Sequence, residues 1–229
     1  MPDEWIERWL GAPRFEKYLL LCAGDRQRAL ATYEWNVRLG LALMRDICHF
    51  EIALRNTYDR AISERWDGTD HWLLSADSPV FTRSEHNRSL RTDAQDLKTR
   101  WAISDAIARA TTDDSVVPSS GKIVAELTLG VWSRFTFKLN EHNLWIPYLR
   151  YAFPLEVTRD DVHGNVMRIH GMRNRIAHHE PVFGMTPGSR QNPYSVYLAV
   201  VESLGWFAPE VAQHVIAGST VVDLINRKP

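Results

Sequence analysis

The chain has 229 residues, 45% of them hydrophobic and 24% charged, with nine tryptophans and no low-complexity tract. That composition excludes intrinsic disorder and predicts a well-packed interior. A formal net charge of −1 excludes a broad basic surface, so any nucleic-acid contact must come from a local cluster of Arg and His.

Cys22 and Cys48 are the only cysteines. Two isolated thiols in apolar helical contexts make neither a zinc motif nor a disulfide framework, and both are expected in the core of a reduced protein. The first five residues, Met-Pro-Asp-Glu-Trp, lack a basic leader, and the apolar run at 19–23 is too short to span a bilayer. The expectation is a cytoplasmic protein without membrane contact.

Helical periodicity dominates, and no run alternates as a strand would. Pro13 opens a short helix to about residue 22, which Gly24-Asp25 breaks. Residues 26–66 contain no Pro and one Gly, so one or two long helices are expected there. The part at 37–62 is apolar on most faces and belongs in the middle of a bundle. Residues 67–88 read as a loop, 90–110 as a helix and 111–121 as an exposed connection. A helix over 122–140 follows, then a shorter one over 144–152 that Pro154 ends.

Thr158 and Asp161 have capping-box spacing and should start a helix that ends near Pro181. Residues 185–193 form another loop. The stretch 194–225 gives one or two closing helices, interrupted near Gly205 or Pro209, that complete the bundle or form a dimer contact. Trp132 and Trp145 are expected in the core, with at least about five of the nine tryptophans interior.

On the helix that starts at Thr158, Val162, Val166, Ile169 and Ile176 fall on one narrow stripe, at about 100° per residue. Arg173 lies inside it, roughly 40° from Ile169. A guanidinium stays protonated, so it needs an anionic partner or an aqueous cleft. Two readings follow. One is a structural ion pair, most simply with Glu51. The other is a phosphate, which suits the planar fork.

His178 lies one turn beyond Asn174, and Arg168, His170, Arg175 and His179 surround them as a local basic cluster. Imidazole exchanges protons at cellular pH. Cleaving RNA without metal requires activation of a 2′-OH, stabilisation of an anionic phosphorane and protonation of a 5′-oxygen. One His and one Arg are the minimum parts, especially if two subunits contribute. Taken alone, His178 also reads as a helix-end residue capping carbonyls. A metal site built from the histidines between 163 and 179 would make the protein a metal-dependent hydrolase. However, His170 and His178 are two turns apart and no HExxH-like pattern occurs, so neither metal nor cofactor is expected.

Arg-Asn-Arg-Ile-Ala-His at 173–178 resembles the R-x4-H motif of the HEPN superfamily. Four further segments resemble its Abi-like (abortive-infection) branch: Tyr33-Glu34-Trp35-Asn36, the run Phe50-Glu51-Ile52-Ala53-Leu54-Arg55-Asn56, Glu126-Leu127-Thr128-Leu129-Gly130-Val131-Trp132, and His178-His179-Glu180-Pro181. The resemblance implies an all-α, HEPN-type up-and-down helical bundle with additional helices, forming a single domain over 1–229. Its core would be about 15–185, with helices at 194–225 packed on it. It also implies a homodimer whose R-x4-H helices meet at a shared cleft, and a metal-independent endoribonuclease of a phage-defence or toxin–antitoxin system. RNA would be the substrate, and an antitoxin or phage-derived trigger the regulator.

By that resemblance Arg173 would stabilise the scissile phosphate, His178 would transfer protons, and Asn174 would position the phosphate or the His. The products would be a 2′,3′-cyclic phosphate and a 5′-OH. Arg168, Arg175, His170 and His179 would bind substrate. Glu51 and Arg55, an i,i+4 pair, are expected in a structural role, with Glu51 holding Arg173 or Arg55. Glu126 and Gly130 are expected to serve packing. The alternative from another class is a non-catalytic interaction or RNA-binding module on the same bundle.

Overall fold

The structure, a computed structural model, describes residues 4–81, 93–111, 118–184 and 192–229. Among the described residues there are helices and no strands, so the chain is all-α.

The organising element is α3, Arg26–Ser63. Asp25 starts it by accepting the Arg28 N–H at 3.0 Å, and no Pro interrupts it, so the stretch forms one helix. Leu39, Leu43, Ile47, Phe50, Leu54 and Tyr58 are all fully buried along it. At Gly40 a Cβ would stand 3.7 Å from Val182 and 3.8 Å from Ile176, which marks where the chain after α7 crosses. One face of α3 departs from the all-round burial expected: Val37, Leu41, Cys48 and Ile52 are exposed. Cys48 is therefore a surface thiol and not a core residue, whereas Cys22 is buried beside Thr32.

Two short helices precede α3. One is α1, Glu4–Leu10, which periodicity did not mark because only Ile6 is buried in it. The other is α2, Ala12–Leu21, with Pro13 in its first turn as expected. The loop after α3 buries Trp72, whose indole donates to Asp59 at 2.9 Å. The remainder of that loop beyond residue 81 lies outside the described residues, as do 112–117 of the connection expected at 111–121 and 185–191 of the loop expected at 185–193. Helix α4, Asp93–Ala110, matches the expectation for 90–110 over its described part.

The single helix expected over 122–140 is instead α5, Ser120–Glu126, and α6, Leu129–Phe135, followed by a 3-10 turn at Lys138–Asn140. Tertiary contacts break it. Leu127 and Thr128 are extended, the Glu51 carboxylate takes the Leu129 N–H at 2.8 Å, and the Leu127 carbonyl takes the Trp132 indole at 3.3 Å. The Arg159 guanidinium donates to the Thr136 carbonyl at 2.6 Å, at the end of α6. Next come a π turn at Glu141–Trp145 and a 3-10 turn at Leu149–Ala152 in place of the helix expected at 144–152. Pro147 lies between them and supplies no N–H.

The capping box forms as the spacing predicts. Asp161 N–H donates to Thr158 Oγ1 at 3.2 Å and Thr158 N–H donates to Asp161 Oδ2 at 3.0 Å, opening α7, Arg159–Ala177. It ends before Pro181 is reached. The His179 N–H donates to Ile176 O and the Glu180 N–H to Arg175 O, with His179 at a φ of 55°. This is a Schellman closure with histidine where glycine is usual.

The closing segment is α8, Pro193–Phe207, then α9, Pro209–Gly218, broken at Pro209 as expected, then α10, Val221–Asn226. Helix α8 packs on α3 and α7, so it completes the bundle. The Trp35 indole donates to Leu224 O at 2.6 Å and ties α10 to α3. Trp35, Trp72, Trp132 and Trp145 are buried and Trp66 and Trp206 partly so, while Trp5, Trp9 and Trp101 are exposed. Among the described residues no helix is long and apolar enough to cross a membrane.

Candidate functional site

Helix α7 buries Val162, Asn165, Val166, Ile169 and Met172 and half-buries Arg173 and Ile176, which is the stripe read from the spacing. Arg173 makes neither an ion pair nor a hydrogen bond among the described residues. The carboxylate expected to hold it is occupied: Glu51 caps the first turn of α6 through Leu129. Nor do Glu51 and Arg55 pair with each other, since Arg55 reaches the Ala125 carbonyl at 3.4 Å and its Nε is buried without a partner. Withdrawing a cation from water without a counter-ion costs several kcal/mol even after relaxation, so an unpaired arginine at this depth is a feature to explain.

The Arg173 charge acts on His170, one turn back, and on Cys48 on the open face of α3. Burial pushes the His170 pKa down, and the Arg173 and Arg134 guanidiniums push it further the same way. The Cys48 thiol is pushed up, first by burial and then by Glu51, with Arg173 opposing. Asn174 donates its side-chain amide to His170 Nε2 at 3.2 Å and so lies on the His170 side of the helix. A Cβ at Gly130 would stand 3.4 Å from that same Nε2, so this glycine lets α6 pass close to the ring.

His178 stands apart from this group. It is the exposed C-cap of α7, with its backbone N–H on the Asn174 carbonyl at 3.0 Å. With His179, Glu180 and Pro181 it faces Arg14 and Lys17 of α2 across an open cleft. His179 also borders a second groove, between Tyr33, Asn36 and Gly40. The Asn36 side-chain oxygen there accepts the Val182 N–H at 2.9 Å, which ties α3 to the chain just beyond Pro181.

The remaining expected contacts are dispersed. Arg175 is engaged at the helix end, on Pro181 O at 3.0 Å and Glu180 at 3.1 Å. Arg168 is exposed and donates to Asn165 at 3.0 Å. His163 pairs with Thr136 Oγ1 at 3.1 Å. Among the described residues no three His, Cys, Asp or Glu side chains converge as metal ligands would. Glu126, expected to serve packing, is an ion-pair partner of Arg109 at 2.9 Å.

Two features escaped the sequence reading. Arg134 follows buried Trp132 and Ser133 on α6, and its Nη1 is buried with no hydrogen-bond partner. The logic that singled out Arg173, a cation inside an apolar run, would have found it. Arg14 and Lys17 lie either side of buried Phe15 and next to buried Tyr18, a pattern that does not reveal which helix end they face. Compared with family models, curated proteins and solved structures, the chain shows no match.

Proposed function

We propose that this protein is a HEPN-type, metal-independent endoribonuclease of a cytoplasmic phage-defence or toxin–antitoxin system, acting as a homodimer. The observation that carries the reading is Arg173, a half-buried guanidinium without a counter-ion among the described residues. A fork of donors held in place without a carboxylate is suited to a phosphodiester, whose charge grows in the phosphorane.

Arg173 binds the non-bridging oxygens of the scissile phosphate. His178 removes the proton of the 2′-OH as its oxygen attacks phosphorus, or returns a proton to the departing 5′-oxygen. The bond formed is 2′-O–P and the bond broken is P–5′-O, which leaves a cyclic phosphate and a 5′-OH. Asn174 fixes the His170 ring beside Arg173, in line with its 3.2 Å contact. Arg173 and His178 are five residues apart on one helix, roughly 140° around its axis. One subunit therefore presents them on different faces, and the dimer brings the arginine of one copy to the histidine of the other. The exposed Val37, Leu41 and Ile52 of α3 offer apolar surface to that contact.

The test is cleavage of single-stranded RNA in excess chelator by the wild-type protein, Arg173→Ala and His178→Ala. The proposal expects activity in the first and loss in both variants. RNA that is bound but not cut, with affinity indifferent to His178→Ala, would replace it with the non-catalytic RNA-binding reading.

A further inference from the structure

Arg134 and Arg173 come from different helices, and both guanidiniums act on the His170 ring. Neither meets a carboxylate among the described residues. Acids on α3, on α5 and in the turn after α6 are engaged elsewhere: Glu51 caps Leu129, Glu126 pairs with Arg109, and Glu141 lies against Arg159 at 3.8 Å. Arg134 Nη1 is withdrawn from solvent with no acceptor among the described residues. Burial holds the Arg134 pKa below the ordinary guanidinium value, the direction expected when a cation loses water without gaining an anion. Arg134 lies one turn beyond Gly130, whose Cβ would stand 3.4 Å from the His170 ring, and Arg173 lies one turn beyond His170 itself. Two unneutralised cations near one imidazole repel each other, so the protein alone does not account for the arrangement. An oxyanion does. It would give Arg134 Nη1 its missing acceptor and lie on the fork of Arg173, and the neutral His170 ring can add a donor once it takes up a proton.

We propose that Arg134 and Arg173 form a two-arginine clamp for a phosphate group beside His170, where Gly130 lets α6 approach α7 closely. That the phosphate is an RNA phosphodiester rests on the nuclease reading; the clamp itself does not. Arg134 is a binding residue of the clamp and supplies no proton.

The experiment follows the His170 ring by NMR as inorganic phosphate is titrated into the full-length protein, with thermal unfolding measured alongside. The clamp expects saturable shifts of the His170 signals in the wild type, much weaker binding in Arg134→Met, and partial recovery in Arg134→Lys. It also expects Arg134→Met to melt at or above the wild-type temperature, because a cation without a partner is removed. No phosphate response in the wild type, or an equal response in Arg134→Met, overturns the clamp.

A second probe is RNA carrying 2′-O-methyl groups, which binds but cannot react. Arg134→Met should weaken its binding and reduce the salt slope by about 0.7, one phosphate contact on a single strand. An unchanged affinity and slope, in a wild type that cuts RNA in chelator, overturns the clamp as an RNA contact and leaves the nuclease standing. A phosphate response in a wild type that cuts nothing leaves the clamp standing and the nuclease refuted.

Discussion

The side-chain amide of Asn174 donates to His170 Nε2 at 3.2 Å, so in this state that nitrogen is an acceptor and the ring is neutral with its proton on Nδ1. Burial, then Arg173 and Arg134, hold the His170 pKa below the ordinary 6.5. The unfolded chain therefore binds more protons than the folded one just below that value. Stability contributed by the neutral ring is complete above about pH 6.5 and is lost as pH falls towards the lower folded value. Urea unfolding from about pH 5 to about pH 8 should show stability rising with pH below neutrality, less steeply in His170→Gln. His163, lowered by burial and by Arg159, adds a slope of the same sign. An unaltered slope in His170→Gln would contradict the assignment of a half-buried neutral ring.

Glu51 acts on α6 and not on Arg173. Glu51→Ala removes the acceptor for the Leu129 N–H and should destabilise the fold by about 1–2 kcal/mol, whereas Glu51→Gln retains an oxygen and should cost less. Denaturant midpoints check the order. RNA cleavage at a temperature where both variants are folded should be close to wild type; a large loss there would return Glu51 to the arginine.

His179 occupies the left-handed C′ position of α7 at a φ of 55°. His179→Gly relieves that conformation and should stabilise the protein by about 1 kcal/mol while leaving cleavage intact. Equal loss of cleavage in His178→Ala and His179→Ala would argue for capping or metal binding in place of proton transfer.

The composite arrangement predicts complementation. Arg173→Ala should fold normally, because no described residue bonds or pairs with that guanidinium, and thermal melting checks this. Mixed with His178→Ala under conditions that exchange subunits, it should recover part of the activity, since one of the two shared clefts retains both groups. Full activity in a strictly monomeric preparation would rule the arrangement out.

Local signals carried a good part of this structure. The Thr158 cap and the prolines at 13 and 209 act within a few residues of themselves, and α2, α7 and α9 begin where these signals place them. The apolar stripe of α7, with Arg173 in it, was legible for the same reason. What could not be read was set by distant partners. Residues 122–140 form two helices because Glu51, remote in sequence, competes for the Leu129 N–H. The open face of α3 looks apolar in sequence whether or not anything covers it. Asn174 has a histidine one turn away on either side, and spacing favours neither; the fold chooses His170.

The central claim is most directly tested by the chemistry of RNA ends after incubation with the purified protein in excess chelator. The account predicts 2′,3′-cyclic phosphate and 5′-hydroxyl termini that vanish with Arg173→Ala and with His178→Ala. Ends carrying 3′-hydroxyl and 5′-phosphate, or cleavage that persists in both variants, would contradict it.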